Sequence, residues 1–146
     1  HDVETIAAAT DMLAEAKLTP ELRNEALYFR AKAYLNQQAD KKAMNDLQAL
    51  AKDTRTLYGA EAKYLVALQL YKAHEYAAAE KEILNFIEQS TPHAYWLARS
   101  FILLSDVYVS MDKKLDARQY LLSLQQNYHA DDDIEQMINE RLEKLK

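Results

Sequence analysis

A small alanine returns four times in the same setting, at Ala9, Ala43, Ala79 and Ala117, in steps of 34, 36 and 38 residues. Four residues after each stands Leu13, Leu47, Ile83 or Leu121, and three further on Ala16, Leu50, Phe86 or Leu124. Steps of four and three place the members of each set on one face of a helix. A period of this length, with no strand signal inside it, describes stacked two-helix units, none of which can bury its apolar face alone. Residue usage points the same way. The 146 residues include one glycine and two prolines, against about ten and seven at average usage. Turns that need a positive φ, and hairpins of the Asn-Gly type, are therefore expected to be almost absent. The abundant Ala, Leu, Lys, Glu and Gln are good helix formers. The expected class is all-α.

Eight helices can be laid along the chain. The first runs from about Val3 to Lys17. Thr19-Pro20-Glu21 opens the second, with threonine as N-cap, proline at the first helical position and an acid in the first turn. Asp40 is expected to cap the third, and a loop around Asp53–Tyr58 precedes the only glycine, Gly59. The fourth covers about Ala60 to Ala73 and the fifth about Tyr76 to Gln89. Ser90-Thr91-Pro92 repeats the cap-plus-proline signal before a sixth from about His93 to Met111. The seventh spans about Lys114 to Tyr128. Asp131-Asp132-Asp133 starts the eighth, which ends with the chain. Connections this short make consecutive helices antiparallel neighbours.

The paired-helix period resembles the tetratricopeptide repeat family. The middle unit carries most of the likeness, through Ala60, Ala67, Tyr76 and Ala79, with Lys63 at the family's tryptophan position. In the preceding unit Leu27, Ala31, Tyr34, Ala43 and Leu47 match, while Asp40 replaces the aromatic of the second helix. In the following unit Phe101, Leu104, Ser105, Tyr108, Ala117 and Leu121 match, with Lys114 at the aromatic site. Another helical-hairpin solenoid with drifting repeat lengths is the competing architecture. The resemblance implies one domain over 1–146: a right-handed superhelical solenoid of antiparallel hairpins. Residues 1–18 would be the second helix of a leading partial repeat, 20–54, 57–89 and 92–128 hairpin repeats, and 131–146 a capping helix. The stretch Leu121 to Leu145 is also similar to the closing units of bacterial envelope members of this family, although His129 stands where those have proline. That likeness favours the periplasm or cell envelope over the cytoplasm.

Members of the family commonly hold partners in the groove lined by the first helix of each unit. The resemblance maps that concave groove to Tyr28, Lys32 and Leu35, then Tyr64, Leu68, Tyr71 and Lys72, then Arg99, Ile102 and Asp106. Tyrosines offer large contact area at low entropy cost, so an apolar helix or extended peptide fits, with Lys32 and Lys72 as polar anchors. Aromatics at helical spacing are more often core than binding site, and the adjoining helix of a longer solenoid would also cover them. The cation and amide set with which one branch of the family clamps a terminal carboxylate is missing, since Leu68, Ile102 and Asp106 occupy the matching positions.

Other functions are disfavoured. The net charge of −5 argues against nucleic acid, which needs a basic face. No stretch approaches the roughly 20 apolar residues of a membrane span. Without cysteine there is no disulfide, zinc-thiolate site or cysteine nucleophile. His1, His74, His93 and His129 fall near helix ends, without a partner at metal-binding spacing. Asp131–Asp133 lacks the glycine and terminal glutamate of a calcium loop, and acids suit a helix start. Glu80 and Glu82 point to different helix faces. No phosphate loop or nucleophile elbow is present, so no cofactor and no enzyme activity are expected. In the last helix Ile134, Met137, Ile138, Leu142 and Leu145 form one stripe, which either caps the stack or mediates self-association. The expected function is a protein-interaction scaffold. The alternative is a structural segment of a longer solenoid, its groove filled by its own chain.

Overall fold

The computed structural model describes all residues, His1–Lys146, and contains eight helices and no strand. They are α1 (Asp2–Leu13), α2 (Pro20–Asn36), α3 (Asp40–Leu50), α4 (Leu57–Lys72), α5 (Tyr76–Glu88), α6 (Ala94–Ser110), α7 (Lys114–Asn127) and α8 (Ile134–Lys144). Each helix packs against the next in the chain. In addition α2 packs on α4, α4 on α6 and α6 on α8, so the even-numbered helices share one side of the molecule. The odd-numbered helices pack only against their chain neighbours.

The recurring alanines occupy the crossings. Ala43, Ala79 and Ala117 are fully enclosed, and Leu47, Ile83, Leu121, Leu50, Phe86 and Leu124 are buried with them. Each such large side chain contributes about 1.5–3 kcal/mol by leaving water, and a larger residue at the alanines would push the helices apart. The pattern fails in the first unit. There α1 ends at Leu13, four residues short of the expected Lys17, and Ala16 is exposed. With only α2 to pack on, the last turn of α1 buries Leu13 partly against the main core and leaves Met12 exposed. The apolar interior forms a main cluster from α2 to α7 and a smaller one where α6, α7 and α8 meet.

The turns differ from expectation. Gln38, His74, Ser90 and Asp112 have φ of 59°, 62°, 53° and 60°, although none is glycine. Three of them follow the repeat. Beyond Gln38, His74 and Asp112 the same 6→1 bond closes each helix: Ala39 N–H to Tyr34 C=O at 2.8 Å, Glu75 N–H to Leu70 C=O at 2.9 Å, Lys113 N–H to Tyr108 C=O at 2.7 Å. This is the Schellman closure of a helix. The left-handed residue costs roughly 1–2 kcal/mol, which the satisfied carbonyls and the packing of the two hairpin arms offset.

The starts also divide. Thr19 caps α2 as expected, its hydroxyl accepting from Leu22 N–H at 3.2 Å. Asp40 instead is the first residue of α3 and makes no side-chain cap. Thr91 does not cap α6, which begins at Ala94. Its hydroxyl donates to the Thr54 carbonyl at 2.6 Å, and the buried Thr54 hydroxyl donates to Gln89 Oε1 at 2.9 Å. These bonds tie the α3–α4 loop to the α5–α6 loop one repeat later. Gly59 lies inside the first turn of α4 rather than before it. The Thr56 hydroxyl donates to Asp53 C=O and accepts from Gly59 N–H, both at 3.0 Å. A Cβ on Gly59 would stand 1.9 Å from the Asp53 carbonyl oxygen, so the close approach requires glycine.

Among the polar side-chain atoms buried in the stack, Arg99 Nε alone has no hydrogen-bond partner. Arg30 of α2 grips Asp46 of α3 with two bonds of 2.8 and 2.7 Å and also reaches Thr10 of α1 at 3.2 Å. The aliphatic stem of Lys63 is buried. Its ammonium meets Glu82 and Asn85 of α5, both at 2.7 Å.

Candidate partner-binding face

The face shared by α2, α4, α6 and α8 carries the residues expected to line a groove. Superposing the repeat by its steps of 36 and 38 residues makes Tyr28, Tyr64 and Ile102 equivalent, then Lys32, Leu68 and Asp106, then Leu35, Tyr71 and Val109. The chain's own side chains already occupy much of this face. Glu61 of α4 accepts from the Tyr28 hydroxyl at 3.1 Å and from the Lys32 ammonium at 3.1 Å. Tyr28 also stacks on Tyr58 with ring centroids 4.3 Å apart. Its hydroxyl is pushed up to about 12, first by burial and then by the Glu61 carboxylate. One helix further, Arg99 of α6 donates to the Tyr64 hydroxyl at 3.1 Å and to the Tyr95 hydroxyl at 2.9 Å, its guanidinium 5.1 Å from the centre of the Tyr64 ring. At the end, Arg141 of α8 grips Asp106 with two bonds of 2.9 and 3.0 Å.

Two of the expected contact residues are buried within the stack. Ile102 is 1% exposed, packed with Leu121, Ile134 and Ile138 beneath α8. Tyr64 is 6% exposed and sits between α4 and α6 under Arg99. Stacking one helix against the next covers these positions, which the same register leaves half-exposed at Tyr28. Leu35 and Leu68 are half-buried against the main core. Lys32 pairs with Glu61 at 3.1 Å and keeps 43% of its side chain exposed. Lys72 is exposed, and Tyr71 is half-buried.

Tyr71 and Asp106 do come together. They line a cavity of about 530 Å³ between the C-terminal ends of α4, α6 and α8 and the start of α7, with Val109, Lys114, Arg141 and Leu145. Glu140 and Lys144 complete its charged rim. Because Asp106 neutralises Arg141, the free charges are Lys114 and Lys144 against Glu140. Val109 and Leu145 supply an apolar floor and Tyr71 a hydroxyl-tipped wall. The α8 contribution was not read from the sequence. Arg141 stands three residues after Ile138, but only the crossing of α8 over α6 brings it to Asp106.

The stripe itself is absorbed internally. Ile134 and Ile138 are 1% and 2% exposed, and Met137, Leu142 and Leu145 pack onto the same cluster. Within the chain the apolar side of α8 is covered by α6 and α7. The acidic triplet before α8 has structural partners: Asp132 accepts from the Tyr128 hydroxyl at 2.6 Å and from Ile134 N–H at 2.9 Å, and Asp133 from the Tyr95 hydroxyl at 2.9 Å. His93 Nε2 lies 2.9 Å from the Arg55 carbonyl and His129 Nε2 3.0 Å from that of Gln126. His74 stacks on Tyr76. No cluster of three metal-ligating side chains occurs, and no helix is long and apolar enough to cross a membrane. No family model, curated protein or solved structure matches this chain.

Proposed function

We propose that the chain is a tetratricopeptide-like right-handed superhelix and a non-catalytic interaction scaffold, binding a peptide or helix of a partner protein on the concave side formed by α2, α4, α6 and α8. The observation that carries this reading is the cavity at the end of that face, where Tyr71, Val109 and Leu145 are flanked by Lys114 and Lys144. Convergent apolar and polar groups in a cleft of this size suit a protruding side chain of a bound segment. The segment carries one apolar anchor for the cavity and a carboxylate for its lysine rim. The likeness of the closing stretch to bacterial envelope proteins directs the search for the partner to the cell envelope.

Tyr64→Ala is a poor probe, since the buried ring holds Arg99. The test is an affinity pull-down from native cell extract, read by mass spectrometry, with wild type against a Tyr71→Ala/Lys144→Glu double variant whose helicity is first shown unchanged. A protein retained by wild type and lost by the variant supports the site. Equal recovery by both removes the cavity from the reading. A second reading is favoured by the links Glu61–Lys32, Arg99–Tyr64 and Arg141–Asp106. They fill the face with the chain's own groups, as a structural segment of a longer solenoid would. Absence of any specifically retained protein selects it.

A further inference from the structure

The step from α2 to α4 and the step from α4 to α6 repeat one side-chain motif with its charge reversed. Tyr28 stacks on Tyr58 with ring centroids 4.3 Å apart, and at the equivalent positions the rings of Tyr64 and Trp96 lie 5.6 Å apart. Glu61 completes the first motif and Arg99 stands at the same position in the second. Glu61 accepts from the Tyr28 hydroxyl and from the Lys32 ammonium, both at 3.1 Å. Arg99 donates to the Tyr64 hydroxyl at 3.1 Å. The position from which Lys32 neutralises Glu61 is Leu68 in the second motif. The charge is inverted from one unit to the next, and no counter-ion is supplied with it.

The other bonds of Arg99 leave it under-paired. Nη1 and Nη2 donate to the Tyr95 and Tyr64 hydroxyls, and Nε is the buried atom without a partner. Five N–H donors therefore meet two acceptors. The only carboxylate in ion-pair range, Asp133, stays 3.9 Å from Nη1, beyond hydrogen-bond reach, while its other oxygen accepts from Tyr95. The arginine side chain is 25% exposed, and its guanidinium lies over the Tyr64 ring. A guanidinium held this way presents its terminal nitrogens for two parallel bonds to a carboxylate. We propose that Arg99 is a carboxylate-binding subsite on the concave side, taking an Asp or Glu side chain of the partner segment through Nη1 and Nη2, with Tyr64 and Tyr95 as positioning residues. The subsite rests on the reading of this side as the docking face, but not on the cavity. One cation with Asp133 beside it matches a single negative charge better than a phosphate dianion. Arg99 stands seven residues before Asp106, about 10 Å along α6. An extended segment whose apolar anchor enters the cavity therefore carries its acidic residue about three positions away.

The test titrates the ¹⁵N-labelled full chain at low salt with glutamic acid capped at both ends, and separately with capped glutamine and with inorganic phosphate. The readout is the Arg99 Nε–Hε resonance, assigned by its loss in Arg99→Met. Saturable movement with capped glutamate is expected, with binding of capped glutamine roughly fivefold weaker or more. Asp133→Asn removes the exposed competing charge and keeps an acceptor for Tyr95, and is expected to tighten binding roughly threefold. Leu68→Glu places a counter-ion at the position of Lys32, and is expected to shift the resonance without ligand and to block the response. No saturable movement of that resonance, an equal response to capped glutamine, tighter binding of phosphate, or indifference to both variants would overturn the subsite. Shifts confined to Lys114 and Lys144 would overturn it and leave the cavity standing. A response at Arg99 with none at the two lysines supports the subsite and counts against the cavity.

Discussion

Single residues in this chain are decided by close approach and by pairing more than by intrinsic preference. Gly59 sits in a helix, where alanine is ordinarily better by about 1 kcal/mol. A methyl there meets the Asp53 carbonyl at 1.9 Å and disturbs the Thr56 bonds on both sides. The steric term wins, so Gly59→Ala is expected to destabilise by about 2–3 kcal/mol, measured by urea unfolding. A stabilised variant would show that the loop gives way freely. Tyr28 illustrates pairing. Its hydroxyl is raised to about 12 by burial and then by Glu61, above the value near 10 of the unfolded chain. A group raised on folding contributes stability in full below the unfolded value and loses it as pH climbs through the folded one. The contribution of Tyr28 is therefore present below about pH 10 and disappears between about pH 10 and 12. Between pH 9 and pH 11.5 wild type is expected to lose more of its urea midpoint than Tyr28→Phe, and equal losses would contradict this assignment.

At the scale of the element, the hairpin turns are the least expected feature and the most regular. Scarcity of glycine suggested that positive φ would be avoided, yet Gln38, His74 and Asp112 adopt it at equivalent positions. The hairpin needs a left-handed residue after each even-numbered helix so that the next N–H can close on the carbonyl five residues back. The chain accepts the backbone strain rather than change the turn. Replacing any of the three by glycine is expected to raise stability by about 0.5–1 kcal/mol, the relief of strain being partly cancelled by the freer unfolded chain. Urea midpoints of the three single variants measure this, and a destabilised Gln38→Gly would show that its side chain matters more than its φ. Helix lengths obey the same logic of local need. The helix α1, which packs on α2 alone, stops at Leu13, while α2 and α6 run 17 residues each along several neighbours.

Across the whole molecule the two ends differ. The end at α8 is closed: Ile134 and Ile138 fill the space above Ile102, Leu121 and Leu124 and leave a polar outer side. Ile138→Ser removes buried hydrocarbon and places a hydroxyl there, and is expected to cost about 3–4 kcal/mol. Chemical denaturation with far-UV circular dichroism checks it, and light scattering is expected to report the same mass before and after. At α1 and α2 Phe29 and Met12 are exposed.

The all-helical class, the number of helices, the repeat steps and the buried face of α3, α5 and α7 were legible in the residues. They depend on local periodicity and on alanine at helix crossings, both of which a short window of sequence carries. Thr19-Pro20 also marked its helix start correctly, because an N-cap and a first-turn proline act within three residues. The accessible part of the candidate face was decided only in the tertiary structure. Tyr28, Tyr64 and Ile102 share one register, yet burial rises along the three because each is covered by a different neighbouring helix. Glu61 to Lys32, Arg99 to Tyr64 and Arg141 to Asp106 are pairs 29 to 35 residues apart. Their formation depends on how adjacent helices are set against one another, and no periodicity within a helix encodes that.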